Sequence, residues 1–146
     1  MTTVRQLLQA RASQVWTTRP DASVFEALQL MADKDVGALP VVQGVRLVGI
    51  ISERDYARKG ILKGKSSKTT SVKDLMTAEV VTVRPEHSVE RCMALMSRHR
   101  IRHLPVLTAE QLLVGVVSIR DVVGAVIENQ TETIERLEGR RGDDLY

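Results

Sequence analysis

Two short segments, Ser52–Asp55 and Ser118–Asp121, each place an aspartate three residues after a serine and are the residues best suited to binding chemistry. In one interpretation this spacing is a capping box, in which the serine caps a helix and the acid bonds back to the amide of the cap. In the other, a carboxylate in the first helical turn beside a cleft accepts the hydroxyl protons of a ribose. The serine and nearby amides then bind a phosphate with help from the helix dipole. Both interpretations use the same geometry, so the residues alone leave the choice open.

Cationic side chains near these segments are candidate phosphate partners. Arg54 and Arg120 lie inside the two segments, and the long side chain of Lys59 or Lys63 could reach back to a bound phosphate. Lys59 also begins a stretch rich in Lys, Gly, Ser and Thr, which is equally well explained as a solvated loop. The basic cluster 98–103 either binds phosphate through its last two residues or is a solvated helix end favoured by the helix dipole.

The sequence argues against catalysis. Ser52 and Asp55 have the spacing of a cap, His103 has no counterpart in the first half of the chain, and no nucleophile-elbow or phosphate-loop motif occurs. The three histidines are scattered and lack the acidic or thiol neighbours of a metal site. We therefore predict no enzyme activity, no catalytic cofactor and no metal.

The chain contains the same unit twice. A shift of 65 positions lays Pro20 on Pro85, and after one inserted residue a shift of 66 lays Gly49 on Gly115. A repeat of about 60 residues is the sequence signature of a duplicated structural unit. Other identical pairs are Val15 with Val80, Thr17 with Thr82, Ser23 with Ser88, Leu39-Pro40-Val41 with Leu104-Pro105-Val106, and Asp55 with Asp121.

Each unit is predicted to fold as strand, helix, two strands and helix. Ser23 and Ser88 are predicted N-caps, and Glu26 completes a capping box in the first unit only. Apolar runs at Ala38–Val42 and Leu47–Ile51 predict two paired strands. This alternation indicates an α/β fold. Because so small a unit cannot cover both faces of its sheet, we expect the two units to pack about a pseudo-two-fold axis, with two equivalent clefts at their junction.

The repeat also sets the predicted boundaries. Cys92 is predicted to be a buried apolar residue on a helix. The last helix is predicted to continue to Glu138 before a polar tail. The predicted divisions are 1–60 for the first domain with its lead-in, 61–71 for a linker, 72–128 for the second domain, and 129–146 for the C-terminal helix and tail.

The combined pattern of both units resembles the CBS domain over about residues 3–125. Its parts are Val-x-Thr-x-x-Pro-x-x-Ser, then Leu-Pro-Val, then Val-Gly, two hydrophobic residues and Ser-x-x-Asp. The resemblance implies an α/β (α+β) fold of two β-α-β-β-α repeats packed as a Bateman module. It also implies that the protein forms a homodimer. It also implies a ligand between the repeats, which is AMP, ADP, ATP, NAD(H) or S-adenosylmethionine.

The resemblance assigns roles to individual residues. Asp55 and Asp121 are implied to bind ribose, and Ser52 and Ser118 to bind ribose or phosphate. Because Arg102 and His103 stand where the first unit has Gly37 and Ala38, we expect the second site to hold phosphate more firmly. The implied adenine walls are Thr17, Thr18, Thr82 and Val83 on one side, and Gly37, Ala38, Pro40, Ile101, Arg102, His103 and Pro105 on the other.

Composition limits the classes of partner. The net charge is +3 and the isoelectric point about 9.3, but only 3% of residues are aromatic, which leaves little to stack on bases. No apolar run approaches the roughly 18–20 residues that span a bilayer, so we expect a cytoplasmic location.

The predicted function is a non-catalytic adenine-nucleotide sensor that acts in trans on an unknown protein. The alternatives are a weak nucleic-acid-binding protein and a ligand-free assembly module.

Overall fold

The structure is a computed structural model that describes residues 2–11 and 14–145. It alternates helices with two pairs of strands, as the repeat predicts. A π-helical turn, Tyr56–Gly60, and a 3₁₀ turn, Ile61–Lys63, continue the short third helix. The elements in chain order are α1 (Val4–Arg11), α2 (Val24–Lys34), β1 (Ala38–Gln43), β2 (Arg46–Ser52), α3 (Glu53–Asp55), α4 (Val72–Leu75), α5 (Val89–His99), β3 (His103–Leu107), β4 (Leu113–Ser118) and α6 (Ile119–Leu145).

The strands form two antiparallel hairpins with the same register. Ala38 pairs with Ser52 in β1–β2, and His103 pairs with Ser118 in β3–β4. The strand expected before the first helix of each unit is reduced to one parallel bridge, at Thr18 and at Val83. A proline follows two residues later in both units, and its missing amide prevents the ladder from continuing.

Helices α2 and α5 begin at the predicted caps. Ser23 Oγ accepts from the Glu26 amide, and Ser88 Oγ accepts from the Arg91 amide, both at 3.1 Å. Each helix buries one apolar face in its unit, and Cys92 is fully buried there, as predicted. Burial raises the pKa of the Cys92 thiol to about 11, so it remains protonated and packs as an apolar side chain.

The two units exchange their lead-in helices. The amide of Val4 in α1 donates to the carbonyl oxygen of His87 in the second unit at 2.8 Å. The amide of Val72 in α4 donates to the carbonyl oxygen of Ala22 in the first unit, also at 2.8 Å. Val4 belongs to the hydrophobic core of the second unit, and Val72 and Leu75 belong to that of the first. The two cores are therefore connected by reciprocal packing, which holds the units against each other.

The last helix differs from its prediction, because α6 continues past Glu138 to Leu145 where a polar tail was expected. Residues 128–138 are rich in Glu, Gln, Arg and Leu, which favour helix, and Glu132 lies four residues before Arg136. Residues 131–138 are all exposed, so this part of α6 extends beyond the cores. Among the helices of the described ranges, none is both long and apolar enough to cross a membrane.

Candidate functional site

Each serine–aspartate pair forms the predicted capping box at the start of a helix. The Asp55 amide donates to Ser52 Oγ at 3.1 Å, and Asp55 Oδ2 accepts from the Ser52 amide at 2.9 Å and from the Ser52 hydroxyl at 3.0 Å. The same three bonds between Ser118 and Asp121 measure 3.2, 3.0 and 2.8 Å. The box fixes the orientation of both carboxylates, and both residues remain only half-buried.

The two aspartates line two clefts between the units. The Asp55 cleft, of about 840 Å³, lies between the helix start at Ser52 and residues 99–103 of the second unit. The Asp121 cleft, of about 540 Å³, lies between the helix start at Ser118 and residues 35–38 of the first unit. Both volumes fall within the range of about 300–1,000 Å³ that is usual for small-molecule sites. Each cleft therefore combines a helix start from one unit with a strand start from the other.

The clefts meet at the starts of β1 and β3. Gly37, Glu53, Arg102 and His103 line both of them. A Cβ atom added to Gly37 would lie 3.3 Å from His103 Nε2, so glycine makes room for the imidazole of the other unit. The expected assignment of Arg102 and His103 to one site alone does not match this arrangement, because the cross-packing of the units places both side chains between the two clefts.

Burial lowers the pKa of His103 below its ordinary value. The carboxylate of Asp121 opposes this effect, and the guanidinium of Arg102 adds to it. An imidazole in this position is neutral near neutral pH. His103 therefore offers a phosphate a hydrogen bond but no positive charge.

Lys59 is held inside the Asp55 cleft by protein groups. Its Nζ lies 3.2 Å from Asp55 Oδ1, 3.3 Å from the carbonyl oxygen of Leu75 and 3.4 Å from Thr77 Oγ1. Thr77 also lies within hydrogen-bonding distance of Asp55 Oδ1, at 3.5 Å. Asp55 Oδ1 thus already has protein partners. The predicted contact between Lys59 and a phosphate would require the ammonium to move away from Asp55.

The two candidate arginines of the helix starts occupy different settings. Arg54 lines the Asp55 cleft and reaches across to the other unit, where its Nη1 donates to the carbonyl oxygen of Arg100 at 3.3 Å. Arg120 lines the Asp121 cleft and is exposed. Each arginine therefore lies where its guanidinium group can contact a ligand in the cleft that it lines.

Several residues named for the adenine walls do not line either cleft. Thr18 and Val83 are buried in the parallel bridges. The cleft walls are formed two and three residues earlier, by Val15 and Trp16 in one cleft and by Val80 and Val81 in the other. Of the remaining predicted residues, Gly37, Ala38, Ser118, Arg120 and Asp121 line the Asp121 cleft, and Gly37, Ser52, Arg54, Asp55, Lys59 and Ile101 line the Asp55 cleft, whereas Thr17, Pro40, Thr82 and Pro105 line neither.

Trp16 and Glu53 are among the cleft residues that the sequence interpretation missed. Trp16 lines the Asp121 cleft and has Lys34 Nζ 4.2 Å from its ring centroid, and the carboxylate of Glu53 lines both clefts. The only signal for Trp16 was that a large aromatic stands where the second unit has Val81. In residues 2–11 and 14–145, no group of three or more His, Cys, Asp or Glu side chains is arranged to hold a metal ion.

Comparison with known proteins places this architecture in a family. A family model of the CBS domain matches residues 4–60 and 72–128. The CBS domain-containing protein CBSX3, mitochondrial, of Arabidopsis thaliana is 47% identical over 133 residues, which cover 88% of this chain. The chain spans 64% of the length of that plant protein.

Solved structures share the fold over nearly their whole length. A protein with CBS domains from Burkholderia ambifaria MC40-6 is 48% identical with a TM-score of 0.84, covering 88% of this chain and 96% of the other. CBSX2, solved in complex with AMP, is 30% identical with a TM-score of 0.71, covering 89% of this chain and 99% of the other. The fold is therefore common to this chain and these two solved structures.

Proposed function

We propose that this chain, which belongs to the CBS-domain family, is a non-catalytic regulatory protein that binds an adenine nucleotide between its two CBS domains. The observation that carries the proposal is the pair of serine–aspartate capping boxes, both of which open into clefts between the domains. A cap alone needs no cleft, and here the same carboxylates that close the caps are accessible from one. The ligand is AMP, ADP, ATP or NAD(H). S-adenosylmethionine has the same adenosine group but no phosphate.

The proposed binding mode follows from the side chains at each cleft. Each carboxylate can accept the hydroxyls of a ribose, which at Asp55 Oδ1 displace the ammonium of Lys59. The apolar walls at Val15 and Trp16, and at Val80 and Val81, suit an adenine ring. Arg54, at the helix start of the Asp55 cleft, suits a phosphate. Arg120 has the equivalent position in the Asp121 cleft, where carboxylates outnumber cations among the described side chains. CBSX2, the relative solved with AMP, supports adenine nucleotides as the ligand class.

Thermal unfolding in the presence of AMP, ADP, ATP, NAD, NADH and S-adenosylmethionine tests the proposal. A ligand at a hundred times its dissociation constant adds about 2.7 kcal/mol of stability, which raises the unfolding temperature by about 5–10 °C. Asp55→Ala or Asp121→Ala is expected to abolish the shift. If none of the six compounds changes the unfolding temperature, the nucleotide-sensing function is wrong.

Regulation in this proposal acts on a separate protein. Nucleotide binding brings the two domains closer together and changes the surface offered to a partner. The ligand can shift this equilibrium only by the difference between its affinities for the open and the closed state.

The chain is expected to act as a homodimer, because α6 exposes Ile127, Ile134 and Leu137. Sedimentation velocity measures this state directly. A cytoplasmic location is part of the same proposal.

A ligand-free assembly module is the second candidate, and the exposed apolar residues of α6 favour it. In that case the Asp55→Ala and Asp121→Ala variants assemble as the wild type does, and no nucleotide changes the assembly. Weak nucleic-acid binding is separated from both by salt, because contacts with a phosphate backbone weaken steeply as the salt concentration rises.

A further inference from the structure

The two clefts differ in charge although they are built alike. Among the described side chains, five cations face three carboxylates in the Asp55 cleft, whereas two cations face three carboxylates in the Asp121 cleft. Arg102 and Glu53 are common to both clefts and do not contribute to the difference. The cations found only in the Asp55 cleft are Arg54, Arg58, Lys59 and Arg100, and the one found only in the Asp121 cleft is Arg120.

The difference arises at equivalent positions of the two repeats. Asp35 and Arg100 end α2 and α5 with the same left-handed backbone, at φ 54° in each. Asp35 lines the Asp121 cleft and Arg100 lines the Asp55 cleft, so one structural position carries opposite charges. The Arg58–Lys59 pair corresponds, at the shift of 66, to the uncharged Gly124–Ala125 pair. The Asp55 cleft therefore attracts anions more strongly than the Asp121 cleft does.

Lys59 gives the Asp55 cleft a second means of discrimination. A ribose hydroxyl that donates to Asp55 Oδ1 must displace the lysine ammonium, which lies 3.2 Å from that oxygen. A ligand with a phosphate offers the displaced ammonium a new partner, within reach of its flexible side chain. A ligand without a phosphate leaves the ammonium with only the uncharged carbonyl oxygen of Leu75 and hydroxyl of Thr77, so such a ligand binds with a smaller gain.

The Asp121 cleft has features that suit an uncharged ligand. It contains Trp16 at the position that Val81 occupies in the Asp55 cleft, and this aromatic ring, which has Lys34 Nζ 4.2 Å from its centroid, suits a base. It is also the smaller of the two clefts, at about 540 Å³ against 840 Å³. The base and ribose are thus recognised beside fewer cleft-lining cations than in the Asp55 cleft.

From these observations we infer that the two clefts sort adenosine ligands by charge. The Asp55 cleft selects an adenosine that carries a 5′-phosphate, and Lys59 moves from Asp55 to that phosphate when the ligand binds. The Asp121 cleft selects an adenosine derivative without negative charge. The inference rests on the proposed function and adds to it the ligand class of each cleft.

Titration calorimetry with AMP and with adenosine tests the sorting, because the two probes differ only by the phosphate. The variants are Asp55→Asn and Asp121→Asn, since the carbonyl oxygen of asparagine can still accept the cap hydrogen bond and preserve the helix start. We expect Asp55→Asn to weaken AMP binding by about tenfold or more and to leave adenosine binding unchanged. Asp121→Asn is expected to weaken adenosine binding and to leave AMP binding unchanged. Thermal unfolding without ligand verifies that both variants are folded.

Two further variants test the charges themselves. Exchange of the C-cap residues, by Asp35→Arg with Arg100→Asp, places at each position a side chain that its equivalent already accepts. We expect this exchange to lower the affinity of the Asp55 cleft for AMP and to raise that of the Asp121 cleft. Lys59→Met is expected to bring AMP and adenosine closer in affinity at the Asp55 cleft, whereas Lys63→Met, an exposed control outside both clefts, leaves them unchanged.

The outcomes separate the two levels of the proposal. If AMP binding is lost in Asp121→Asn instead, or if both probes are lost together in one variant, the sorting by charge is wrong while the nucleotide-binding function stands. If neither AMP nor adenosine binds the wild-type protein, both the inference and the proposed function are wrong.

Discussion

His103 lies where the two clefts meet, and its surroundings oppose protonation. Its pKa is lowered first by burial, and Asp121 and Arg102 act on it in opposite directions. In the unfolded chain the imidazole has an ordinary pKa of about 6.5. Between the lowered pKa of the folded state and a pH of about 6.5, the unfolded state therefore binds more protons than the folded state.

We expect His103 to make the protein less stable in mild acid. Above a pH of about 6.5 the imidazole is neutral in both states and does not reduce the free energy of unfolding. As the pH falls from there toward the lowered folded pKa, the free energy of unfolding decreases. Thermal unfolding measured from about pH 8 to pH 5 should show a shallower loss of stability for His103→Gln than for the wild type. His99→Gln is the matched control, because His99 is exposed at the end of α5. Parallel losses in the wild type and His103→Gln would contradict the role of burial.

Individual site residues were predictable where the signal is local. The Ser52–Asp55 and Ser118–Asp121 boxes follow from a three-residue spacing, and the structure confirms both. The sharing of Arg102 and His103 between clefts was not predictable, because it depends on contacts between residues far apart in the chain. Thr18 and Val83, which were predicted to flank adenine, line neither cleft for a related reason: both are buried at the parallel bridges.

Among the elements, the exchanged lead-in helices explain the glycine of the Val-Gly pattern. A Cβ atom at Gly49 would lie 2.5 Å from Met76 Sδ and 3.0 Å from the carbonyl oxygen of Thr77. That part of the backbone is fixed, since Thr77 exchanges two hydrogen bonds with Ile50, at 2.8 and 3.0 Å. At Gly115 the added atom would lie 2.6 Å from Leu8 Cδ2. Both glycines thus allow a helix from the other unit to approach the sheet closely.

We expect Gly49→Ala to destabilise the protein by about 1–3 kcal/mol, because the added methyl overpacks a contact that the backbone cannot relieve. Gly115→Ala is expected to have a smaller effect, since it meets a flexible leucine side chain. Urea unfolding measures both. Gly124→Ala is the control: no atom lies within 4 Å of its added Cβ, and alanine favours the helix by about 0.5–1 kcal/mol. Equal effects at the three glycines would exclude close packing of the lead-ins.

Prediction of the elements succeeded where a pattern within the unit determines them. The caps at Ser23 and Ser88 and the two hairpins follow from such patterns. The first strand was overestimated, because its pairing is limited by the proline that follows. The end of α6 was misplaced, because Gly139 and Gly142 suggested a stop that the helix does not make. The exchange of α1 and α4 has no local signal, since the two lead-ins are alike in sequence.

At the scale of the whole molecule, the exchange of lead-ins makes the clefts a property of the pair and of neither unit alone. Thr77 and Met76 follow α4, which packs on the first unit, and Thr77 lines the Asp55 cleft there. Each cleft also has walls from both units. A ligand in a cleft thus contacts both units at once, which is the arrangement needed for binding to change their relative position.

The central claim is that an adenine nucleotide binds between the two units, and backbone hydrogen exchange with and without saturating AMP tests it most directly. We expect AMP to slow exchange at residues 52–59 of the first unit and at residues 99–103 of the second, because these segments face each other across the Asp55 cleft. The exposed segment 131–138 of α6, which lies outside both clefts, should exchange as before. Unchanged exchange at both cleft segments, or protection confined to α6, would contradict the claim.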